Sequence, residues 1–383
     1  MKGVLKIRGK AFVGLNTLEI FDGHRHIFTI PLKMIKRYGE SFSSIFLELS
    51  NDIVIKTGKS DEVINFLRRI GIEKCNNFYN LGVFTLSNAV FSASLISILI
   101  FFIPELMPEF LNILMKFLTP PLIVFLGSLF STFLFKILIS SSKDLGIDNE
   151  LLQATTKYSK VLKLSRVPKV HILNSINKGF IAMALPFLTS IIVIWIPKYC
   201  SNLCKHYIVA HELAHIFKKH MIKQILIYSF SAIILLMLAY VLININFNLF
   251  LIIFPILLMI LISIIITVPY VQEADAHILA TRLVGSRAFK EYINAELTHL
   301  LTMMEFIDIY ARNKSIKSKY IDRICKELLS VIKPHGFFNR IKLWISSFPH
   351  PPRYMLLKLA NTSNELSTYK LVKRITISML QNK

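Results

Sequence analysis

The chain has 383 residues, 54% of them hydrophobic, and a mean hydropathy of +0.54. That is too apolar for a soluble globular protein of ordinary composition and leaves a membrane protein carrying soluble parts. A formal net charge of +22 would suggest nucleic acid in a soluble chain. In a membrane protein it reads as basic flanks held near anionic lipid on the cytoplasmic side, so no nucleic-acid partner is expected.

Residues 1–74 read as a small separate β-rich domain. Segments 4–8 and 17–21 alternate as half-buried strands do, and Asp22-Gly23 supplies a turn before a third strand at 26–30. Strands at 45–49 and 53–56 follow. Ser60 then caps a helix over 63–72 in which Val63, Phe66, Leu67 and Ile70 keep one face. Strands closed by one helix resemble a pleckstrin-homology-like module, with a lipid or partner surface or a plain solvated face on its Lys and Arg residues. The N-terminus opens with charged, strand-like sequence, and no cleavable signal is expected ahead of the first span.

From 81 to 104 there is no charged residue, enough for one membrane span, and a second is expected at about 117–135. Two more fit between Lys223 and Glu273, where no charge occurs, broken by the polar turn 244–248. Lys and Arg crowd the N-terminal domain, the segment 141–223 and everything after 273. The positive-inside rule then places both termini in the cytoplasm, and an even number of spans agrees. The apolar stretch 180–197, which contains Pro186, is read as strands rather than as a fifth span. Asp148 begins a capped amphipathic helix, 167–173 a strand, and 273–283 a helix ending at Val284-Gly285. The four cysteines, Cys75, Cys200, Cys204 and Cys325, form no metal-knuckle pair and are expected as reduced thiols.

The chemistry concentrates in His-Glu-Leu-Ala-His, 211–215. On a helix His211 and His215 project from one face, about 40° apart, where a single ion can bridge them. Glu212 lies one step round, placed to draw a proton from water. This is the pattern of a zinc hydrolase. Lys218, Lys219 and His220 are expected to end the run in water. Lys205, Lys218 and Lys219 flank the motif and argue against a site inside the bilayer.

These pieces together resemble the membrane zinc peptidases of the HtpX type, relatives of the CAAX prenyl proteases within the gluzincin group. The resemblance covers about residues 82–360. It rests on Glu150-Leu-Leu-Gln-Ala, Pro168-Lys-Val-His-Ile-Leu, His211-Glu-Leu-Ala-His-Ile with His220, Glu273-Ala-Asp-Ala with Leu283-Val-Gly, and His350-Pro-Pro. It implies a mainly α, four-span integral membrane protein with a cytosolic zinc peptidase domain of helices and a small sheet. The N-terminal β-rich domain stands before it. The expected division is 1–74, a span pair over 82–140, a cytosolic part with the zinc helix over 141–224, a span pair over 225–268, and a cytosolic part over 269–383.

By the same resemblance the activity is that of an endopeptidase acting on membrane or misfolded proteins at the cytoplasmic face of the cell membrane. Its partners are protein or peptide substrates and the lipid bilayer; its cofactor is Zn2+. Two histidines leave zinc short of a ligand, and Glu273 is the candidate third, with Glu212 as general base and Asp275 holding the free nitrogen of a zinc histidine. The family's ligand Glu usually stands four residues before the Asp, a position that is Val271 here. Glu273 alone, Glu273 paired with His277, and loss of zinc binding therefore all stay open. His350 is either a donor to the developing oxyanion or a residue ordering a turn. The stretch 180–197 is either an edge for substrate backbone or an ordinary core hairpin. The rival reading is a catalytically silent membrane adaptor or sensor whose N-terminal module binds lipid or a protein. Oligomeric state is not legible.

Overall fold

The computed structural model describes residues 4–41, 43–75, 148–172, 182–185, 190–193, 196–329 and 352–360. Its N-terminal part holds seven strands, a short 3-10 turn (Leu32–Met34) and one α-helix: β1 (Val4–Val13), β2 (Thr17–Asp22), β3 (Arg25–Pro31), β4 (Ile35–Glu40), β5 (Ser44–Leu49), β6 (Val54–Gly58), α1 (Asp61–Arg69) and β7 (Glu73–Lys74). The order β3-β2-β1-β6-β5-β4-β7 joins two antiparallel meanders through a parallel β1–β6 pair. On β1, Leu5 and Ile7 point into the core and Lys6 and Arg8 out, the alternation that a sheet with one covered face requires. Gly9 lies where β1 passes from β6 to β2. With φ +149°, a Cβ there would sit 2.4 Å from the Phe21 carbonyl oxygen, so only glycine fits. Ser60 caps α1 as expected, but the buried stripe is Val63, Ile64 and Leu67, and Ile70 lies past the helix end, largely exposed.

The remaining elements are α2 (Asn149–Val161), β8 (Lys169–Ile172), β9 (Ala182–Leu185), β10 (Ser190–Val193), α3 (Asn202–Phe217), α4 (His220–Ile245), α5 (Phe247–Val284), α6 (Ser286–Tyr310), α7 (Lys314–Leu329) and α8 (Arg353–Ala360). The described chain is thus mostly helical, with a three-stranded sheet of order β8-β10-β9 beside α3. The stretch 180–197 contributes β9 and β10, strands rather than a span. Asp148 caps α2 by accepting from Glu150 N and Leu151 N, and Ser201 caps α3 by accepting from Cys204 N. Asn246 alone separates α4 from α5 and caps the latter, where the sequence showed its polar turn. Helix α5 continues through Pro255 and Pro269 to Val284, and Gly285, at φ +96°, ends it.

The N-terminal sheet is not isolated from the helices. Leu300, Met303, Phe306 and Ile307 of α6 and Ile324 of α7 join Leu5, Leu18, Ile20, Phe28 and Ile30 in one hydrophobic core. The Phe28 and Phe306 rings stack at 6.0 Å, Arg312 N donates to Ile27 O at 2.8 Å, and the Tyr320 hydroxyl bonds to Lys6 O. Helix α6 therefore runs from this core to the second one, where Ala288, Phe289 and Ile293 pack against α2, α3 and β10.

Two of the four expected spans, at 81–104 and 117–135, lie outside the described residues. The other two fall on α4 and α5. Counted over the described residues, which leave out several positions within α4 and α5, no helix is long and apolar enough to cross a membrane. The fold therefore does not show the four-span plan.

The cysteines correct the expectation of reduced thiols. Cys200 and Cys204 form a disulfide across the start of α3, with Cα atoms 5.3 Å apart, while Cys75 and Cys325 are free thiols.

Candidate metal centre

Helix α3 carries the motif. One turn apart on it, His211 and His215 bring their Nε2 atoms to 3.2 Å. Glu273 of α5 closes on both: one carboxylate oxygen is 3.3 Å from His211 Nε2 and the other 3.5 Å from His215 Nε2. One ligand atom from each of these three half-buried side chains lies within 4.8 Å of the other two. Ligands at Zn–N and Zn–O distances of 2.0–2.1 Å in a tetrahedron stand about 3.3 Å apart, so the donor set and its spacing fit zinc.

The two residues that opened doubt in the sequence have distinct places. Val271 packs against a buried cluster made of Tyr270, Ala274 and Ile278 of its own helix and Met355 of α8. Position 271 thus faces α8 and position 273 faces α3. His277 is fully buried, and both its ring nitrogens are engaged. Nε2 donates to Leu356 O at 2.8 Å, so Nδ1 accepts from the Tyr207 hydroxyl, also at 2.8 Å. It has no nitrogen left for a metal. Burial, and next the neighbouring His211, pushes His277 down to about 3, which keeps the ring neutral. Burial, and then the nearby Glu273, raises the Tyr207 hydroxyl well above the ordinary phenol range.

His220 departs from the sequence expectation. Lys219 adopts φ +54°, a left-handed turn that stops α3 and starts α4, and this folds His220 under the end of α3 instead of into water. Its Nδ1 lies 3.1 Å from His215 Nδ1 and its Nε2 3.2 Å from Asp275 Oδ2. A carboxylate only accepts, so Nε2 of His220 carries the proton there and Nδ1 accepts from His215. The tautomer this imposes leaves His215 Nε2 unprotonated, its lone pair on the side of His211 and Glu273. Asp275 was expected to hold a zinc histidine directly; His220 stands between them. Burial works to raise the Asp275 carboxyl, but the His220 bond and the Lys218 ammonium, 3.6 Å away, outweigh it and hold the group below the usual range. Gln272 Nε2 donates to His220 O at 3.0 Å and ties the turn to α5.

Glu212 stands half-buried beside His211 and is close enough to act electrostatically on Tyr207. His350 lies outside the described residues. Two supporting clusters went unseen in the sequence. Arg353 forks onto Glu296 Oε2 through Nε and Nη2 at 3.1 and 3.0 Å and donates to Glu327 O, while Tyr292 donates to the other oxygen of Glu296. His206 donates to Glu150 at 2.6 Å and accepts from the Tyr158 hydroxyl at 2.9 Å, pinning α2 to α3.

A histidine pair one helical turn apart, completed by a carboxylate from a second helix and flanked by a glutamate, is the ligand set of a metal-dependent hydrolase. Residues 206–352, which contain every one of these metal-centre groups, match the family model of peptidase family M48. The match supports a metallopeptidase of that family. No curated protein and no solved structure matches the chain.

Proposed function

We propose that the protein is a zinc-dependent endopeptidase of the HtpX-like kind, held in a membrane and cleaving membrane or misfolded proteins. The observation that carries this reading is the closure of His211, His215 and Glu273 on one point. His211, His215 and Glu273 would hold a zinc ion, which would supply Lewis-acid polarisation of water and of a scissile carbonyl. Glu212 takes the proton from the attacking water and passes it to the leaving amine. Among the described residues β9 pairs only with β10, and it packs against α3, so an extended substrate can add its backbone at the free edge beside the metal centre.

Membrane attachment is supported by α4 and α5. No charge occurs between Lys223 and Glu273, and Phe230, Ile234, Ile252, Ile256 and Met259 stand exposed on the pair, a surface that lipid would cover. The distribution of Lys and Arg favours the cytoplasmic face for the metal centre. One observation favours the other side: disulfides such as Cys200–Cys204 rarely persist in the cytosol. Labelling of these cysteines in intact cells, with and without reductant, decides between the two faces.

The test of the activity is direct. The full chain is purified in detergent, and zinc content and cleavage of a misfolded membrane protein are measured for the wild type, Glu212→Gln and His215→Ala. We expect about one zinc per chain, lost in His215→Ala, and cleavage abolished in Glu212→Gln with zinc retained. Equal cleavage by wild type and Glu212→Gln would overturn the peptidase mechanism, and a chain with neither zinc nor cleavage would leave the silent adaptor as the better reading.

A further inference from the structure

Helices α3 and α5 meet twice. At the metal centre His211 and His215 face Glu273; one turn away Tyr207, four residues before His211, meets His277, four residues after Glu273. The order of these contacts makes the two helices antiparallel where they touch. The second contact is a chain of two hydrogen bonds, Tyr207 to His277 and His277 to Leu356 O, which also engages α8.

Both side chains are buried among rings. Phe289 lies edge-on to His277 at 4.2 Å, and Tyr207 packs against Phe289 and Tyr292. Packing alone would be served as well by a phenylalanine and a leucine, which bring no polar atoms to desolvate. A directional pair in that setting does something packing does not: it admits only one alignment of the helices. A slip of one residue along α5 moves each side chain about 1.5 Å along the axis and about 100° around it. Apolar neighbours such as Ala274, Ala276 and Ala280, all fully buried, could repack after such a slip. The His277–Tyr207 bond could not.

Resting on the metallopeptidase reading, we propose that Tyr207 and His277 are positioning residues: they form a register clamp that holds the Glu273 carboxylate against the two histidines. His277 is thus neither a metal ligand nor a general base. It acts on the site through helix alignment.

The test uses the full chain in detergent, loaded with zinc or with cobalt, and the variants Tyr207→Phe, His277→Leu and His277→Gln. Zinc affinity is read by competition with a chromophoric chelator, and the coordination sphere by the visible absorption of the cobalt form. We expect Tyr207→Phe and His277→Leu to weaken zinc about tenfold and to alter the cobalt bands, with helical content unchanged. His277→Gln, whose amide can both donate to Leu356 O and accept from Tyr207, restores most of the affinity. A wild-type affinity and cobalt spectrum in folded Tyr207→Phe would overturn the clamp while leaving the metal centre intact. If His277→Leu does not fold, Tyr207→Phe decides alone. A wild-type chain that takes up neither ion sinks the metallopeptidase reading and the clamp with it.

Discussion

His220 Nδ1 lies 3.1 Å from Nδ1 of His215, so this imidazole of the candidate metal centre is backed by a second imidazole before a carboxylate, Asp275, is reached. The arrangement fixes which nitrogen of His215 faces the pocket. His220→Ala is expected to weaken zinc binding by about 10–100-fold, measured by chelator competition. Asp275→Asn, whose side-chain oxygen still accepts from His220, is expected to have a smaller effect. An unchanged affinity in His220→Ala would show that the relay is incidental.

The buried ion pair between Arg353 and Glu296 joins α8 to α6. Removing one partner strands the other charge away from water, so Arg353→Ala is expected to cost about 3–5 kcal/mol of stability. Denaturant unfolding measures it. The double variant Arg353→Ala, Glu296→Ala should lose less than the sum of the two single losses, because the stranded charge is gone.

His277 gives a pH dependence with a definite sign. Its folded value, about 3, lies below the ordinary 6.5, so below neutrality the unfolded chain binds the extra proton. Stability is complete above pH 6.5 and falls as the pH drops toward 3. Between pH 7 and pH 5 the loss from this group is about 2 kcal/mol. Urea unfolding at the two pH values, in the wild type and in His277→Gln, tests this; an equal slope in both would assign the loss to other groups.

The disulfide closes a short loop at the start of the motif helix. Chain-entropy arithmetic for so small a ring gives about 2 kcal/mol, so reduction, or Cys200→Ser, is expected to lower the melting temperature by a few degrees. No change on reduction would mean that the bond does not form in the purified chain.

Phe306 couples the N-terminal sheet to helix α6. Phe306→Ala is expected to cost about 3–5 kcal/mol and to expose the sheet to limited proteolysis. If the sheet stays resistant while α6 loosens, residues 4–75 hold together without it.

Periodicity made most strands legible, because a sheet covered on one face forces alternation. β4 escaped: Ile35-Lys-Arg-Tyr-Gly-Glu buries Ile35, Tyr38 and Gly39 and so breaks the pattern. His211, Glu212 and His215 were legible for a different reason, namely that a four-residue spacing with a carboxylate inside it is a local signal, whereas Glu273 stands on another helix and was one of three open readings. Their support was not legible. The spacing from His215 to His220 places His220 off the metal face only if the helix continues, and nothing in Lys218-Lys219 announces a left-handed residue. Glu296 and Arg353 are far apart in the chain, and only the tertiary fold pairs them. The Cys200–Cys204 bond was not legible from helical periodicity, because Cys200 stands before the Ser201 cap and outside the helix that carries Cys204.

Helix α5 reaches from Phe247 to Val284 without a loop, a rod of roughly 57 Å. A displacement of its far, apolar half reaches Glu273 through one continuous helix rather than across a loop. The rod can yield at Pro255 and at Pro269, where backbone hydrogen bonds are missing. Pro269 stands one turn ahead of the Glu273 carboxylate, so the joint at which α5 can bend lies next to the side chain that meets His211 and His215.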